Sequence, residues 1–404
     1  MSDFSIRDKC KVNTNKDADT FVGIMCDDGD ISIHFPLGYH ISDDEKELRK
    51  DILLLVNTIE STLGHTESVL LDNSEECNQT GFPIQAYLKV IYDYYERGYY
   101  REREVEYNVS QRGKINWART IKTQRAVLQG DEAYYLNFVT KRNSVNENEL
   151  ITLIHEFCVY ESFSKIGWLF TNGMPQKPQI KRNDKLFLTV LADKLSRTFN
   201  DKNKVLFTSM ITIIRNLQDE DAAANYRYGT YRFEYVWEAL IDRVYGIEGK
   251  DAYFPKTTWK VDGKRYDNAS LEPDSIMIRG NDIYVLDAKY YKYGASKMLW
   301  DLPESTSINK QITYGEYVAN NKAVGGRVFN AFLMPFDANN NIWKTETIYA
   351  IGEASGDWRD NTKLYEHIQG IMIDVKYLMQ ITVKEDTSEI NRLAACIEAA
   401  VGDM

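Results

Sequence analysis

The amino-acid sequence predicts an α/β protein, with a mixed β-sheet flanked by helices in the C-terminal half and a mostly helical α+β domain before it. Apolar and polar residues alternate over Ser275–Arg279 and again over Ile283–Lys289, and the sequence Gly-Asn-Asp separates the two runs. This pattern is typical of a tight β-hairpin. Apolar residues at helical spacing occur on both sides of it, over residues 231–245 and in a segment capped by Ser305 or Ser307.

The remaining elements follow from the same patterns. In the N-terminal half we expect a hairpin over residues 21–36, a helix opened by a capping box of Ser42 and Glu45, and a helix over Ile84–Arg97. Three further helices are expected there, at 147–169, Leu186–Phe199 and Val205–Leu217. In the C-terminal half we expect two strands that complete the sheet and two segments that cover it: Val328–Met334, Thr345–Ile351, Trp358–Met379 and Glu389–Val401.

Length and composition indicate a folded protein of two domains. At 404 residues the chain is long for a single hydrophobic core. The acidic run Asp219-Glu220-Asp221, followed by Ala222–Ala224, is the best candidate boundary and gives domains at 1–220 and 221–404. The longest aliphatic run, Ile52–Val56, is too short for a membrane span, so we expect no membrane association. Five scattered cysteines indicate reduced thiols in a cytoplasmic protein.

The charge distribution bears on nucleic-acid binding. A net charge of −11 is unfavourable for a protein that binds DNA unaided. Either the basic groups are clustered or a partner protein supplies much of the affinity for DNA. Residues 97–125 hold eight basic and three acidic side chains, and residues 177–204 hold the same numbers. Ile115 and Trp117 are expected on one side of a short strand in the first segment. The candidate contacts to DNA or to a partner protein are Arg112, Lys114, Trp117, Arg119 and Lys122.

Three charged residues lie at the end of the predicted hairpin 275–289. Asp287 and Lys289 share a face of the second strand because side chains alternate along a strand. The start of the first strand lies beside the end of the second, so Asp274 is expected next to them. Two carboxylates and an ammonium at one sheet edge can hold a hard divalent cation, Mg²⁺ or alternatively Mn²⁺, and orient a water. The plain alternative is an ordinary hairpin with a solvated, charged end.

Two flanking helices offer further polar side chains to this site. Glu234 and Glu238 are four residues apart and share a helix face, where two like charges repel unless a cation lies near them. Either glutamate can complete the site, and the sequence does not decide between them. Gln311, on the helix after the hairpin, can bind a phosphate or the site water. A solvated helix face is the alternative in both cases.

These residues resemble a known nuclease motif. Pro273-Asp274, twelve residues, and then Asp287-Ala288-Lys289 is similar to the PD-(D/E)xK pattern. The whole chain resembles the LlaJI-type restriction endonuclease family, which is related to the McrC nuclease subunits of modification-dependent restriction systems. Outside that motif the resemblance rests on three segments: Arg112–Trp117 with Thr120-Ile121, Phe233-Glu234 to Glu238, and Gln311 with Tyr314.

The resemblance implies a restriction-endonuclease-like core and a Mg²⁺-dependent DNA endonuclease subunit that works in phage defence. Asp274, Asp287 and the Ala288 carbonyl would bind the metal ion, and Lys289 would act on the attacking water. Residues 221–404 would form the nuclease domain. Residues 1–220 would contact DNA or dock on a separate AAA+ GTPase ring that binds and translocates DNA. The sequence has no Gly-x-x-x-x-Gly-Lys-Ser/Thr loop, so we expect no nucleotide hydrolysis by this chain.

Two other functions compete with this interpretation. A non-catalytic adaptor that docks on a ring NTPase and stimulates it would keep the fold without needing the metal site. A stand-alone DNA-repair nuclease would cleave DNA without a partner, which the net negative charge disfavours.

Overall fold

A computed structural model describes residues 5–16, 19–66, 82–145, 149–171, 173–219, 225–321, 325–340 and 347–402. They belong to two compact units: unit 1 combines Met1–Gly81 with Ala224–Met404, and unit 2 is Phe82–Ala223. The predicted boundary after residue 220 lies close to the point where unit 2 ends and unit 1 resumes, between Ala223 and Ala224. Residues 220–224 are outside the described part. The predicted domain 1–220 differs from the observed grouping, because residues 1–81 belong with the C-terminal part of the chain.

The N-terminal part of unit 1 contains the predicted hairpin and the first helix. Its elements are β1 (Cys10–Val12), β2 (Val22–Asp27), β3 (Asp30–Phe35) and α1 (Glu45–Thr66). The predicted capping box of Ser42 and Glu45 is wrong. Asp44 caps α1 instead, since its Oδ1 accepts hydrogen bonds from the backbone N–H groups of Lys46 and Glu47, both at 2.9 Å. The Ser42 hydroxyl accepts a hydrogen bond from the Asp44 N–H at 3.2 Å, in the turn that precedes the helix.

Unit 2 is mainly helical, as predicted, with two small sheets. Its elements are α2 (Ile84–Arg97), β4 (Arg103–Val109), β5 (Lys114–Ile115), α3 (Trp117–Thr123), β6 (Ala126–Gln129), β7 (Glu132–Tyr135), β8 (Val139–Val145), α4 (Leu150–Ile166), α5 (Asp184–Arg197) and α6 (Asp201–Asn216). Its interior holds the Tyr87 ring, whose hydroxyl donates to Asn216 at 2.9 Å, and the Phe157–Phe187 pair at 5.4 Å between ring centroids.

The C-terminal part of unit 1 begins with one strand and a helix. The elements are β9 (Tyr226–Thr230), α7 (Phe233–Tyr245), β10 (Lys256–Val261), β11 (Lys264–Ser270), β12 (Ser275–Arg279), β13 (Asp282–Ala288), α8 (Tyr293–Ser296), α9 (Ser305–Ala319), β14 (Val328–Phe336), β15 (Ile348–Ala354), β16 (Ile368–Asp374), α10 (Val375–Gln380) and α11 (Thr387–Gly402). No helix in the described part of the chain has both the length and the apolar character that crossing a membrane requires.

A five-stranded mixed sheet forms the centre of unit 1, in the order β12-β13-β14-β16-β15. The three inner strands run parallel, and the two edge strands are antiparallel to them. Helix α9 makes the crossover from β13 to β14, as a parallel pair requires. The predicted α/β class, a mixed sheet flanked by helices as in restriction endonucleases, is confirmed.

One predicted element of this sheet is wrong. The stretch Trp358–Met379 was expected to cover the sheet, whereas its residues Ile368–Asp374 form the inner strand β16. This strand reads as a short run of mainly apolar residues, and all of them except Gly370 are buried. Periodicity alone does not distinguish such a run from a buried helical segment, which explains the error.

A second sheet explains why the two ends of the chain form one unit. Strand β9 pairs with β2, in a four-stranded sheet of order β1-β3-β2-β9. Gly23 and Gly229 face each other in this pairing. A Cβ atom on Gly23 would lie 2.1 Å from the Tyr228 carbonyl oxygen, and one on Gly229 would lie 2.2 Å from that of Val22. The two strands therefore require glycine at both positions.

Contacts from the N-terminal residues also reach the central sheet. The Leu37 N–H donates to the Tyr290 hydroxyl at 2.6 Å, and Tyr290 directly follows Lys289. The buried Asp51 of α1 pairs with Lys376 at 2.8 Å. The N-terminal residues thus support the segment that carries the predicted site.

Candidate active site

The strand register brings the two predicted aspartates together. In the β12–β13 hairpin Ser275 lies opposite Leu286, so one step further along the same register Asp274 lies opposite Asp287. Asp274 Oδ2 accepts a hydrogen bond of 2.7 Å from the backbone N–H of Ala288. Asp287 is 4% exposed, and Asp274 is partly buried. The sequence prediction of adjacent carboxylates at this end of the hairpin agrees with this geometry.

Lys289 lies on the same face and binds one of these carboxylates. Its Nζ is 2.5 Å from Asp287 Oδ2, and its side chain is only 18% exposed. The Lys289 N–H donates to the Leu333 carbonyl of the neighbouring strand at 2.9 Å, which continues the sheet pairing past the end of β13. Burial alone would lower the pKa of Lys289, but attraction by Asp287 and Asp274 raises this pKa. The Lys289 side chain therefore stays charged.

The structure distinguishes the two glutamates of helix α7. Glu238 is partly buried, and burial together with repulsion by Asp287 and Glu234 raises its pKa to about 7. Glu234 is 40% exposed and pairs with Arg232 at 3.0 Å. Of the two, Glu238 is therefore the one whose charge acts on the aspartates. The sequence did not decide between them because it did not reveal how the helix is oriented.

Trp237 fixes that orientation. Its indole N–H donates to the Leu333 carbonyl at 3.1 Å, and Leu333 lies opposite Ala288 in the sheet. The indole ring is fully buried, which holds the helix against the sheet at the level of the site. Glu238, the next residue, is thereby placed beside the strand end that carries Asp287.

The cluster holds more carboxyl groups than Lys289 could neutralise if all of them were ionised. Burial first, and then the charges of Asp287 and Glu238, raise the pKa of Asp274 to about 8, although the Ala288 N–H opposes this shift. Three carboxyl groups compete for stabilisation here, and Lys289 binds only one of them directly. Such a donor set favours an additional cation.

These donors suit Mg²⁺ better than a metal that needs a cage of side chains. Within the described ranges, no three His, Cys, Asp or Glu side chains lie close enough to hold a metal ion by themselves. Mg²⁺ is usually bound through one or two carboxylates and keeps several waters or substrate oxygens. Asp274 and Asp287, with the Ala288 carbonyl as a further oxygen, match that requirement. The metal ligands predicted from the sequence remain a prediction.

Gln311 is buried behind the strand that carries the site. Its Nε2 donates to the Val285 backbone carbonyl at 2.8 Å. The side-chain amide of the buried Asn330 donates to the backbone carbonyl of Gln311 at 3.0 Å. Its Oε1 is buried and has no hydrogen-bond partner in the described part of the chain. These contacts anchor helix α9 to β13 and β14. Oε1 can only accept a hydrogen bond, so it could bind a water but not a phosphate, and the Nε2 donor that a phosphate would need is directed to Val285.

Sequence reasoning missed Lys310, the residue before Gln311. Its ammonium is exposed and lies 5.5 Å from the centre of the Tyr314 ring. The pKa of Lys310 is raised. Burial and the charge of Lys289 act to lower this pKa, but the interactions with Tyr314 and Asp287 outweigh them. Lys310 is thus a second cation at the edge of the site. A lysine one residue before the expected glutamine was the available signal.

Comparison with known proteins assigns the chain to a family. The model of the LlaJI restriction endonuclease family matches residues 21–349. The chain belongs to this family. It is also 25% identical over 320 residues to the Type II restriction enzyme BsuMI component YdjA of Bacillus subtilis (strain 168), an alignment that covers 73% of this chain and 67% of that protein. Both the aspartates and Lys289 fall within the family match.

The other predicted contact residues of this LlaJI family member form an exposed surface of unit 2. Arg112, Lys114, Trp117, Arg119 and Lys122 are all exposed. The Arg119 guanidinium lies 3.6 Å from the centre of the Tyr107 ring, and the Trp117 ring meets Phe138 edge-on at 5.6 Å. Contact of this surface with DNA or with a partner protein remains a prediction.

The expected strand position of Trp117 is wrong. The strand ends at Ile115, and Trp117 begins helix α3, since the Asn116 side chain accepts from the Arg119 N–H at 3.1 Å and caps it. The strand alternation that was expected to place Ile115 and Trp117 on one side therefore does not apply to Trp117.

Proposed function

We propose that this chain is the nuclease subunit of a restriction system and hydrolyses phosphodiester bonds of double-stranded DNA in the presence of Mg²⁺. The observation that carries the proposal is the hairpin register, which puts Asp274 and Asp287 side by side with Lys289 in contact with Asp287. Membership in a restriction endonuclease family supports it independently. The site would act in the cytoplasm, where the substrate DNA is found.

Mg²⁺, or Mn²⁺ in its place, would be held by Asp274, Asp287 and the Ala288 carbonyl. When bound, the ion supplies Lewis-acid stabilisation of the phosphate charge. The crowding of carboxyl groups supports this assignment, because a divalent cation would offset the burial and the mutual repulsion that together raise the pKa values of Asp274 and Glu238.

Lys289 would orient the attacking water and offset the charge that develops on the pentacovalent phosphate. Its contact with Asp287 fixes the ammonium before DNA binds, so little reorganisation is needed during the reaction. Glu238 would accept hydrogen bonds from water in the same site, in preference to Glu234, whose carboxylate is paired with Arg232. Gln311 would act mainly by holding the helix behind the strand.

A partner subunit is part of the proposal. A chain with a net charge of −11 has little electrostatic attraction for DNA. An AAA+ GTPase ring that binds and translocates DNA would supply the missing affinity. The B. subtilis relative is named as a component of its restriction enzyme. Unit 2 offers a docking feature, the β6–β7 hairpin, whose apolar side chains are exposed: Val127 by 49%, Leu128 by 75% and Tyr134 by 47%.

That same hairpin favours the second candidate function, an adaptor that stimulates a ring NTPase. An exposed apolar hairpin is a feature that a docking role needs and that cleavage does not. The two functions separate in an Asp274→Ala variant. Stimulation of the partner's GTP turnover by a variant that no longer cleaves DNA would show that the chain performs both independently.

The proposal is tested with Asp287→Ala in the reconstituted complex. Loss of this carboxylate should abolish Mg²⁺-dependent cleavage of duplex DNA without unfolding the chain. Asp282→Ala is the matched control, since Asp282 starts the same strand but pairs at the opposite end with Arg327 at 2.7 Å. Cleavage by the Asp287→Ala variant at the wild-type rate would refute the assignment.

A further inference from the structure

A second hairpin precedes the site in the chain and pairs with no other strand in the described part of the protein. Strands β10 and β11 form their own two-stranded sheet, separate from the central five-stranded sheet. Every residue of β10 is exposed, and most of β11 is exposed as well. A two-stranded hairpin in water is marginal by itself, so an element of this kind gains stability from a surface that it binds. We call residues 256–270 the ribbon.

The ribbon is built to project. At its tip, Val261 lies opposite Lys264, and the two turn residues Asp262 and Gly263 have positive φ angles of 50° and 74°. Both positive values are typical of a type I′ turn, whose twist matches that of the two strands. At its base, the Leu271 N–H donates to the Pro255 carbonyl at 2.8 Å. The ribbon therefore extends about 20 Å from a closed base.

The two faces of the ribbon carry different chemistry. On one face Trp259 lies opposite Tyr266, with the two residues 63% and 67% exposed. On the other face Lys260 lies directly opposite Arg265, an arrangement of like charges that destabilises a hairpin in isolation. Asp267 compensates in part, because it accepts from Arg265 at 2.9 Å. Cations and exposed rings together are typical of a surface that binds nucleic acid.

The ribbon is positive although the chain is negative. It has four basic side chains, Lys256, Lys260, Lys264 and Arg265, against Asp262 and Asp267, an excess of two in a chain of net charge −11. Within the described residues its three lysines have no ion-pair partner. Their charges are therefore available to a polyanion.

A short tether places the base of the ribbon beside the carboxylates of the site. Only three residues lie between Ser270 and Asp274, so the two Cα atoms are at most about 14 Å apart. The tether is held at two points. The Tyr314 hydroxyl donates to the Glu272 carbonyl at 3.3 Å, and the Lys250 ammonium donates to the Asp274 carbonyl at 2.6 Å.

We propose that the ribbon enters the major groove of duplex DNA and fixes the duplex next to the site. The inference rests on the proposed nuclease function. The major groove is about 12 Å wide and admits a two-stranded ribbon. Lys260 and Lys264 lie near the tip on opposite faces, so in a tip-first approach they meet phosphates on the two walls of the groove. Trp259 and Tyr266 then add apolar contact to one wall.

The test compares two double variants of the full chain, measured with any subunit that co-purifies. Lys260→Ala with Lys264→Ala removes two cations from the ribbon. Lys46→Ala with Lys384→Ala removes two exposed cations elsewhere in unit 1 and is the matched control. Binding is followed by fluorescence anisotropy on a labelled duplex of about three helical turns. Ca²⁺ replaces Mg²⁺ so that the DNA stays intact.

The ribbon variant should lose two phosphate contacts. Each contact contributes about 0.9 to the slope of log K against log salt, so the slope should fall by about 1.8. The same relation gives a loss of roughly 60-fold in affinity at about 0.1 M salt. Trp259→Ala with Tyr266→Ala should weaken binding without changing the slope, because it removes no charge. Equal melting temperatures for wild type and variants establish that all are folded.

The outcomes separate the ribbon from the proposed function. A ribbon variant with the affinity and slope of the control, in a complex that still cleaves DNA, overturns the inference and leaves the nuclease function in place. A ribbon variant that binds DNA normally but loses a co-purifying subunit makes the ribbon a protein-docking element and also overturns it. A wild-type complex that neither binds nor cleaves duplex DNA overturns the nuclease function and the inference together.

Discussion

Two consecutive hairpins of unit 1 have the same topology and opposite surroundings. The ribbon, residues 256–270, and the β12–β13 hairpin are both antiparallel pairs closed by a two-residue turn. In the second hairpin Ile276, Met277 and Val285 are fully buried, whereas in the first Trp259 is 63% exposed. Helices cover one hairpin and leave the other in solvent.

The difference shows how surroundings assign a role to charged residues. Carboxylates at the end of the buried hairpin lose water and repel one another, which raises the pKa of Asp274 to about 8, and we propose that a bound cation offsets this cost. Cations on the exposed ribbon keep their water, and we propose that they bind phosphates of DNA.

The largest effect is expected for Lys289→Ala. Removing the ammonium should reduce the single-turnover cleavage rate by roughly 10²–10³-fold, because its charge acts on the transition state in a site with little water. Binding of DNA in Ca²⁺ should be nearly unchanged. Lys384→Ala, which removes an exposed lysine, is the control and should cleave normally. A normal rate for Lys289→Ala would exclude this lysine from the chemistry.

A pair of truncations tests the difference in burial between the hairpins. Ile276→Ala should lower the free energy of unfolding by about 2–5 kcal/mol, since it opens a cavity between the sheet and the helices. Trp259→Ala should change it by no more than about 0.5 kcal/mol, although it removes a larger side chain. Urea unfolding measures both values. Equal losses would mean that the ribbon packs against the protein in solution.

The two glutamates of helix α7 provide a matched pair for the site. Glu238→Gln should reduce cleavage by about 10–100-fold, the usual effect of losing a group that supports a metal site. Glu234→Gln, one helical turn away, should cleave as wild type does because Glu234 is paired with Arg232. Steady-state cleavage of plasmid DNA distinguishes them. The reverse result would reassign the role to Glu234.

A smaller effect is expected in the pH dependence of stability when EDTA removes metal ions. Asp274 and Glu238 have folded-state pKa values of about 8 and about 7, above the ordinary values of about 4 for these groups. The folded state therefore holds protons that the unfolded state releases, and stability should fall as pH rises from about 5 to 8.

Scanning calorimetry should detect this fall as a drop of several degrees in melting temperature, which added Mg²⁺ reverses at the upper end. Asp287→Asn should flatten the pH dependence, because it removes the main charge that repels Asp274. A melting temperature that changes equally with pH in both proteins would argue against repulsion within this cluster.

Local patterns predicted the hairpin of the site and its charged end. Alternation over five to seven residues and a Gly-Asn turn fix a register by themselves, and the register brings Asp274 to Asp287. The helices that flank the sheet were also predicted, because their apolar spacing repeats over several turns.

Other features depend on contacts between distant parts of the chain. The pairing of β2 with β9 joins segments about 200 residues apart in the sequence, and no local pattern announces it. The choice of Glu238 over Glu234 depends on the hydrogen bond between Trp237 and Leu333, and the burial of Gln311 depends on Val285. Local reading gave the residue types of the site and left its helix contacts undetermined.

Binding of Mn²⁺ is the most direct test of the central claim, that two aspartates from adjacent strands hold one divalent cation. Electron paramagnetic resonance counts bound Mn²⁺ in the wild type and in Asp274→Asn, Asp287→Asn and Asp282→Asn. We expect the first two variants to lose an ion that the wild type and Asp282→Asn retain. Equal binding by all four proteins would contradict the claim.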